Sequence, residues 1–275
     1  MLALFSAIAL TAAYAAPVPE GSILNDPDRG WQLEPAVELG FLAPLSHKIQ
    51  FGRDGTYFNY IQDGGQDNLF FVTRWSLDLR IDRHTVTVLY QPLTLKTSTE
   101  VTRPLVFDNV RFGKGGGLES VYGFDFYRGS WTWDLLPDDD AELGLGASLQ
   151  IRNATIGFTS ADGEQRTTNR DIGPVPIIKL RGRWDGEVGF WGFEADGFYA
   201  PIKYINGGNS DVVGAIADLS IRAGLKANRG VEPFLNLRYL GGGAEGTSSN
   251  PDPGKDGYVR NWLHFATLTV GAYVR

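Results

Sequence analysis

Three histidines and no cysteine set the catalytic options of this chain. Without a thiol there is no cysteine nucleophile, no disulfide and no thiolate metal site. Ser46 and His47 are adjacent, and a hydroxyl beside an imidazole is the beginning of a nucleophile–base pair, the ring taking the proton as the oxygen attacks. The competing reading of His47 is an exposed or locally hydrogen-bonded imidazole. His84 falls at a turn and His264 within the last apolar stretch. Two acidic turns, Asp63-Gly-Gly-Gln-Asp67 and Asp252-Pro-Gly-Lys-Asp256, offer oxygens to calcium but lack the spaced acids and terminal Glu of an EF-hand loop. They read as solvated loops, as does Asp138-Asp139-Asp140. Gly113–Gly117 and Gly241–Gly243 read as flexible loop tips, and no Walker pattern follows either. Asn153-Ala-Thr155 matches a glycosylation sequon but lies inside a strand pattern. No metal and no cofactor is expected.

A larger set of reactive side chains is organised by period. Trp31, Leu33, Val37, Leu39 and Phe41 alternate with Glu34 and Glu38; Phe71, Trp75, Leu77, Leu79 and Ile81 alternate with Arg74, Asp78 and Arg80. Alternation at period two is the signature of strands with one apolar face. Asp82-Arg83 and Asp185-Gly186 read as tight hairpin turns, across which the apolar faces match. In residues 119–134, Tyr122, Phe124 and Phe126 are expected on the apolar face, with a bulge near Arg128-Gly129 that then places Trp131 and Trp133 there. Ten strands result, several of them 10 to 16 residues long. The charged face holds nine acids (Glu34, Glu38, Asp78, Asp125, Glu142, Glu194, Asp196, Asp218, Glu232) and eight bases (Arg74, Arg80, Arg152, Lys179, Arg181, Arg183, Arg222, Arg238). Near balance of sign predicts a paired interior, since isolated buried charges are far more costly than pairs.

The connections alternate. Short ones fall near 82–83, 136–140, 185–186 and 227–230; long ones near 45–68, 95–118, 159–175, 200–211 and 243–257. Trp31, Trp75, Trp133 and Trp184 gather towards the short turns. Tyr122, Tyr199, Tyr204, Tyr239, Tyr258 and Trp262 gather towards the long loops. Short turns at one end, long loops at the other and aromatic rings at two heights are the pattern of a transmembrane β-barrel. The expected fold is therefore all-β: a transmembrane antiparallel up-and-down barrel of about ten strands over residues 31–275. Residues 2–16 are uncharged and end in Ala13-Tyr14-Ala15, which reads as a secretory signal peptide over residues 1–16, although no Lys or Arg precedes it. Residues 17–30 then form an extended periplasmic leader. The formal charge of −7 argues against nucleic acid, whose phosphates require a basic surface.

Several segments carry a resemblance: SHKIQFGRDGTYF (46–58), DRHTVTVLYQPL (82–93), LGLGASLQIRNATIGF (143–158), GPVPIIKL (173–180), DGFYAP (196–201), LRYLGGGAEG (237–246) and WLHFATLTVGAYVR (262–275). The organisation resembles Gram-negative outer-membrane β-barrel proteins, and these segments are similar to an uncharacterised family of them. The resemblance implies fold and location: an outer-membrane chain, inserted by the barrel-assembly machinery and surrounded by outer-membrane lipid and lipopolysaccharide. Such chains commonly end in Phe or Trp, whereas this one ends Tyr273-Val274-Arg275. The omptin proteases share the strand count, but their Asp–His couple has no Asp-x-His counterpart here. A monomer with a largely occluded lumen is expected, in which Glu38, Arg74, Asp78, Arg181, Glu194, Asp218, Arg222 and Arg238 form the luminal network. The role expected is structural, surface-interacting (through loops 45–68 and 95–118) or passage of small solutes. The alternative is a lipid-modifying enzyme using His47 and Ser46 at the outer rim.

Overall fold

The computed structural model describes residues 24, 30–136, 140–201, 211–227 and 230–275. The signal peptide, nearly all of the leader, Asp138, Asp139 and Tyr204 lie outside the described residues. Fourteen strands follow in order: β1 (Gln32–Phe51), β2 (Phe58–Asn59), β3 (Phe70–Ile81), β4 (His84–Gln91), β5 (Thr94–Glu100), β6 (Leu105–Phe107), β7 (Val110–Phe112), β8 (Gly117–Asp134), β9 (Ala141–Ser160), β10 (Arg166–Asp185), β11 (Gly189–Pro201), β12 (Val213–Leu225), β13 (Val231–Thr247) and β14 (Tyr258–Val274). Twelve join one antiparallel sheet, in which β4 and β5 both pair β8 and so form one interrupted stave, and β2 is a short spur on β1. Ten staves remain. β1 pairs β14 from Ala36↔Tyr273 to Phe51↔Val259, which closes the barrel and leaves no free edge at its seam.

Closure sorts the side chains. At alternate outward positions β12 shows Val213, Ala215, Ala217, Leu219, Ile221, Ala223 and Leu225; β10 shows Pro174, Pro176, Ile178, Leu180, Gly182 and Trp184. The remaining staves continue this belt, with Phe41, Phe71, Val88, Leu149, Leu237 and Leu268 among its most exposed members. Among the described residues no Asp, Glu, Lys or Arg interrupts the outward positions over 33–45, 71–81, 84–90, 127–133, 143–151, 174–184, 191–199, 213–225, 233–241 or 264–272. Trp75, Trp131, Trp133 and Trp191 are about half exposed near the short turns, and Tyr199 is exposed near the other end.

Several expectations are overturned. β8 pairs β9 without interruption from Leu118↔Ser160 to Asp134↔Gly144, so there is no bulge at Arg128-Gly129. With the period unbroken, Tyr122, Phe124 and Phe126 share the inward face with Arg128, while Asp125 points outward and accepts the Leu93 amide at 3.2 Å. Tyr122 and Phe126 are buried, not part of an outer ring. The register shift lies instead in β1, between Pro44 and Ser46. The hairpin after β10 is longer than Asp185-Gly186: Asp185 pairs Phe190, and the Gly186 amide donates to the Gly189 carbonyl at 2.8 Å. Gly241, Gly242 and Gly243 are strand residues of β13, where a Cβ on Gly243 would lie 1.9 Å from the Asn261 carbonyl oxygen. At Asp82-Arg83 the short turn is as read, with Ile81 paired to His84 and Asp82 at φ 51°.

The two loops read as free surface segments are packed inside the mouth. β2 adds to the end of β1 through Ile49↔Phe58, which brings Phe58 and Tyr60 into the barrel. β6 and β7 form a small hairpin whose Phe107 stacks on Phe158 at 3.8 Å. Phe58 meets Phe107 and Phe158 edge-on at 5.3 and 5.5 Å. This apolar lid explains the inward aromatics of β8: the lid requires apolar neighbours, and Tyr122 and Phe126 supply them.

Candidate functional site

Below the lid, towards the short turns, the lumen is ionic. Glu38 accepts from Arg74 at 2.6 Å, from Asn236 at 2.7 Å, from Thr269 at 2.8 Å and from Arg222 at 3.3 Å. Arg181 bridges Asp78 and Glu142, each at 2.8 Å. Glu194 is held by Lys179 at 2.8 Å, by Arg74 at 3.6 Å and by Arg222. Asp218 takes a two-pronged contact from Arg238 at 2.5 and 2.6 Å and a third cation, Arg128, at 2.9 Å. Arg128 also reaches Asp196 at 3.0 Å, and Lys179 reaches Asp196 at 3.1 Å. All eight residues named for a luminal network lie inside the barrel: Glu38, Arg74, Glu194, Arg222, Asp218 and Arg238 connect through shared partners, whereas Asp78 and Arg181 connect through Glu142 and Arg80 to the turn end.

Charges of both signs held this way keep their desolvation cost tolerable, because Glu38, Glu194, Asp196 and Asp218 each meet more than one donor. Neutral partners complete the layer: Gln91 accepts from Arg238 at 2.5 Å, and Gln150 Oε1 accepts two bonds from Arg128 at 3.0 and 2.6 Å. Arg128 escapes a sequence reading that shifts the register at Gly129; an unbroken period two places it inside with Ser130 and Thr132. At the turn end a second cluster forms, in which Glu34 meets Arg80 at 3.4 Å and Arg275 at 3.2 Å, and Arg183 bonds Asp185 and Glu232 at 2.7 Å.

His47 is not at an outer rim. The shift between Pro44 and Ser46 changes the parity of β1, so His47, Ile49 and Phe51 turn inward with Leu42, and Leu45 is left exposed. The His47 ring stacks on Tyr60 at 4.0 Å, meets Tyr122 edge-on at 4.3 Å, and its Nδ1 lies 3.2 Å from Gln66 Oε1. Ser46 is its neighbour along an extended strand and therefore points to the opposite face, across from His264. The structure does not bring Ser46 and His47 together as a nucleophile and base. His264 itself faces outward, with its Nδ1 2.6 Å from the Tyr239 hydroxyl. Among the described residues no group of three or more His, Asp or Glu is placed to hold a metal ion.

Between lid and ionic layer, on the side of β8 to β14, lies a cavity of about 520 Å³. Phe124, Phe126, Ile156, Phe198, Ile216 and Leu240 line it, Gln150 forms part of its floor, and Asn169, Asp108 and Lys255 stand at its mouth. Small inward residues make the room: Ala154, Gly214, Gly242 and Ala244 all contribute wall without side-chain bulk. The expected occlusion of the lumen is thus uneven, with an ionic floor, a packed aromatic lid and a hollow between them.

No protein-family model matches the chain, and no curated protein matches it. Solved structures similar to it include the outer membrane protease OmpT from Escherichia coli, at 11% identity and a TM-score of 0.47 over 88% of this chain and 96% of that one. Ail, the attachment invasion locus protein of Yersinia pestis, shows 9% identity and a TM-score of 0.32 over 88% and 98%. The Pseudomonas putida toluene transporter TodX shows 11% identity and a TM-score of 0.32 over 91% of each chain. Their names state a protease, an attachment protein and a transporter, so the likeness carries no activity to this chain.

Proposed function

We propose that this chain is a monomeric outer-membrane β-barrel that spans the bilayer without conducting. One observation carries the reading: the outward belt is free of formal charge, with Asp125 outward only beyond its edge, while the ionic side chains level with the belt are enclosed. In water this arrangement would be inverted at great cost, because the exposed belt would remain wet and the enclosed charges dry. In a bilayer it is the favourable sorting. A transmembrane strand needs about 9 to 11 residues, and the apolar outward runs of β10 and β12, residues 174–184 and 213–225, meet that length.

Outer-membrane lipid and lipopolysaccharide would contact the belt, and the barrel-assembly machinery would insert the strands. One chain closes its own barrel through β1 and β14, which supports a monomer. The ionic layer and the lid oppose free passage of solutes, so the role favoured is a sealed barrel that presents a site, not a pore. The Ser46–His47 enzyme reading has no geometric support.

Fractionation of cells expressing the full chain tests the location: it should sediment with the outer membrane and require detergent for extraction. A folded monomer that stays soluble after detergent removal would refute the proposal. In planar bilayers the purified chain should give no stable open-channel current, and a large steady conductance would refute the sealed lumen.

A further inference from the structure

The wall of the cavity is incomplete on one side. β10 pairs β9 along its whole length, from Arg166↔Thr159 to Trp184↔Ala141, but its ladder to β11 begins only at Ile178↔Gly197. The stretch of β10 before Ile178 and the end of β11 from Phe198 to Pro201 are therefore neighbours without a ladder between them. The cause lies in the sequence. Pro174 and Pro176 stand two residues apart, so both present their missing N–H on the same edge of the strand. The ladder to β9 runs unbroken through both, which assigns the missing donors to the edge facing β11.

The cavity meets this seam. Val175 of β10 and Phe198 of β11 both line it, one from each side. On the outer surface the same level shows Pro174, Pro176, Ile178 and Tyr199, all exposed and all within the apolar belt. From above the mouth is polar: Ser248, Asn250 and Asp252 line it, and Lys255 Nζ crosses it, donating to Asn169 Oδ1 at 2.6 Å and to the Thr168 carbonyl at 3.2 Å and lying 3.4 Å from Asp108. From below it is closed by Arg128 and its two carboxylates. The seam is the apolar way in.

The lining also indicates what fits. A volume of about 520 Å³ falls in the range of small-molecule sites, about 300–1,000 Å³. The deep walls, from Phe124, Phe126, Ile156, Phe198, Ile216 and Leu240, are hydrocarbon and aromatic, and the polar residues gather at the mouth. In the deep part of the cavity a charged guest would find no counter-ion to spare, since Arg128 below is matched by Asp196 and Asp218; at the mouth Lys255 is matched by Asp108 and Asp252, and Arg170 stands exposed at the rim. One donor is left over: Gln150 is fully buried, its Oε1 is committed to Arg128, and its Nε2 has no hydrogen-bond partner. The two bonds from Arg128 fix the amide orientation, so a donor and not an acceptor remains. We propose that the cavity binds a neutral apolar molecule bearing one acceptor oxygen, such as a ketone, and that this molecule enters from the surrounding hydrocarbon between β10 and β11. The route rests on the membrane-spanning reading; the site itself does not.

Benzophenone, neutral and with a single carbonyl oxygen, is both a probe of this chemistry and a photolabel. The full chain in lipid nanodiscs is irradiated with it, and labelled positions are mapped by mass spectrometry. Saturable labelling of cavity residues such as Ile156, Ile216 and Leu240 is expected, suppressed at least tenfold in Ile216→Trp and in Ala154→Leu. Heat-modifiable migration shows that each variant is folded, and either folded variant suffices. At equal concentration in the bilayer 2-decanone should compete about fivefold better than decane, the size of one neutral hydrogen bond. Pro174→Thr with Pro176→Thr restores the donors, and should slow labelling severalfold while leaving its final extent unchanged. Unsaturable label spread over the outer belt, or unchanged labelling in a folded filled-cavity variant, overturns the site. Equal competition by the two competitors overturns the oxygen contact. Undiminished rate in the double Pro variant overturns the seam. Saturable labelling in a chain that proves water-soluble would sink the membrane reading and the route while the site survives.

Discussion

Asp218→Leu is the sharpest test of the ionic floor. Asp218 is buried and holds Arg238 through two contacts at 2.5 and 2.6 Å and Arg128 through one at 2.9 Å. Removing the carboxylate leaves Arg128 with Asp196 at 3.0 Å, but leaves Arg238 with only the neutral Gln91 oxygen at 2.5 Å. Breaking a buried pair by deleting one partner costs about 3–5 kcal/mol. That is about two to three and a half powers of ten in the folding equilibrium. With a urea slope of about 3 kcal/mol per M for a chain of this size, the unfolding midpoint in lipid vesicles should fall by about 1–1.7 M. Replacing the pair together, Asp218→Leu with Arg238→Met, removes the orphaned cation and should recover at least half of the loss, the remainder reflecting an unpaired Gln91. A single variant within about 1 kcal/mol of the natural chain would mean that these groups are hydrated, and the dry-floor reasoning would fail. Additive losses in the double variant would refute the pairing itself.

Other outcomes follow from the same geometry. Leu219→Arg, at the middle of β12 and half exposed, should cost about 2–4 kcal/mol in bilayers, as expected at a lipid midplane; a water-facing site would tolerate it, and urea titration separates the two. His47→Ala should leave the lipid A profile unchanged by mass spectrometry, while losing about 1–3 kcal/mol of stability from two ring contacts. Deleting Leu45 removes the extra residue of β1 and joins the Pro44↔Phe265 rung directly to Ser46↔His264, so His47, Ile49 and Phe51 should stay inward and the lid stay attached. Limited proteolysis should spare residues 52–69 in the variant as in the natural chain, and new cleavage there in the variant would refute the assignment of Leu45 as the extra residue.

The strand faces were legible wherever one face was apolar and the other charged, as in β3 with Trp75 and Leu77 against Arg74 and Asp78. There the solvent on each side writes itself into the period. β8 defeated that logic because both of its faces carry aromatics: Tyr127, Trp131 and Trp133 outside, Tyr122 and Phe126 inside. Reading every ring as outward forced a bulge that is not there. His47 was misplaced for the opposite reason, since a single extra residue at Leu45 changes which face each later side chain takes and leaves no compositional mark. Apolar loop residues such as Phe58, Tyr60 and Phe107 carried a signal that went unread, for free loops seldom hold so many rings. The cavity had no local signature, being made by Ala154, Ile216, Leu240 and others far apart in the chain.

The pairing of β1 with β14 has a kinetic consequence. Its first rung joins Ala36 to Tyr273, so the contact that completes the cylinder is also among the most distant along the polypeptide. Until it forms, two long raw strand margins remain able to capture other chains, and the time needed to form it grows with that separation. The interval before closure is therefore when this topology is most exposed to aggregation, whatever the finished cylinder goes on to hold.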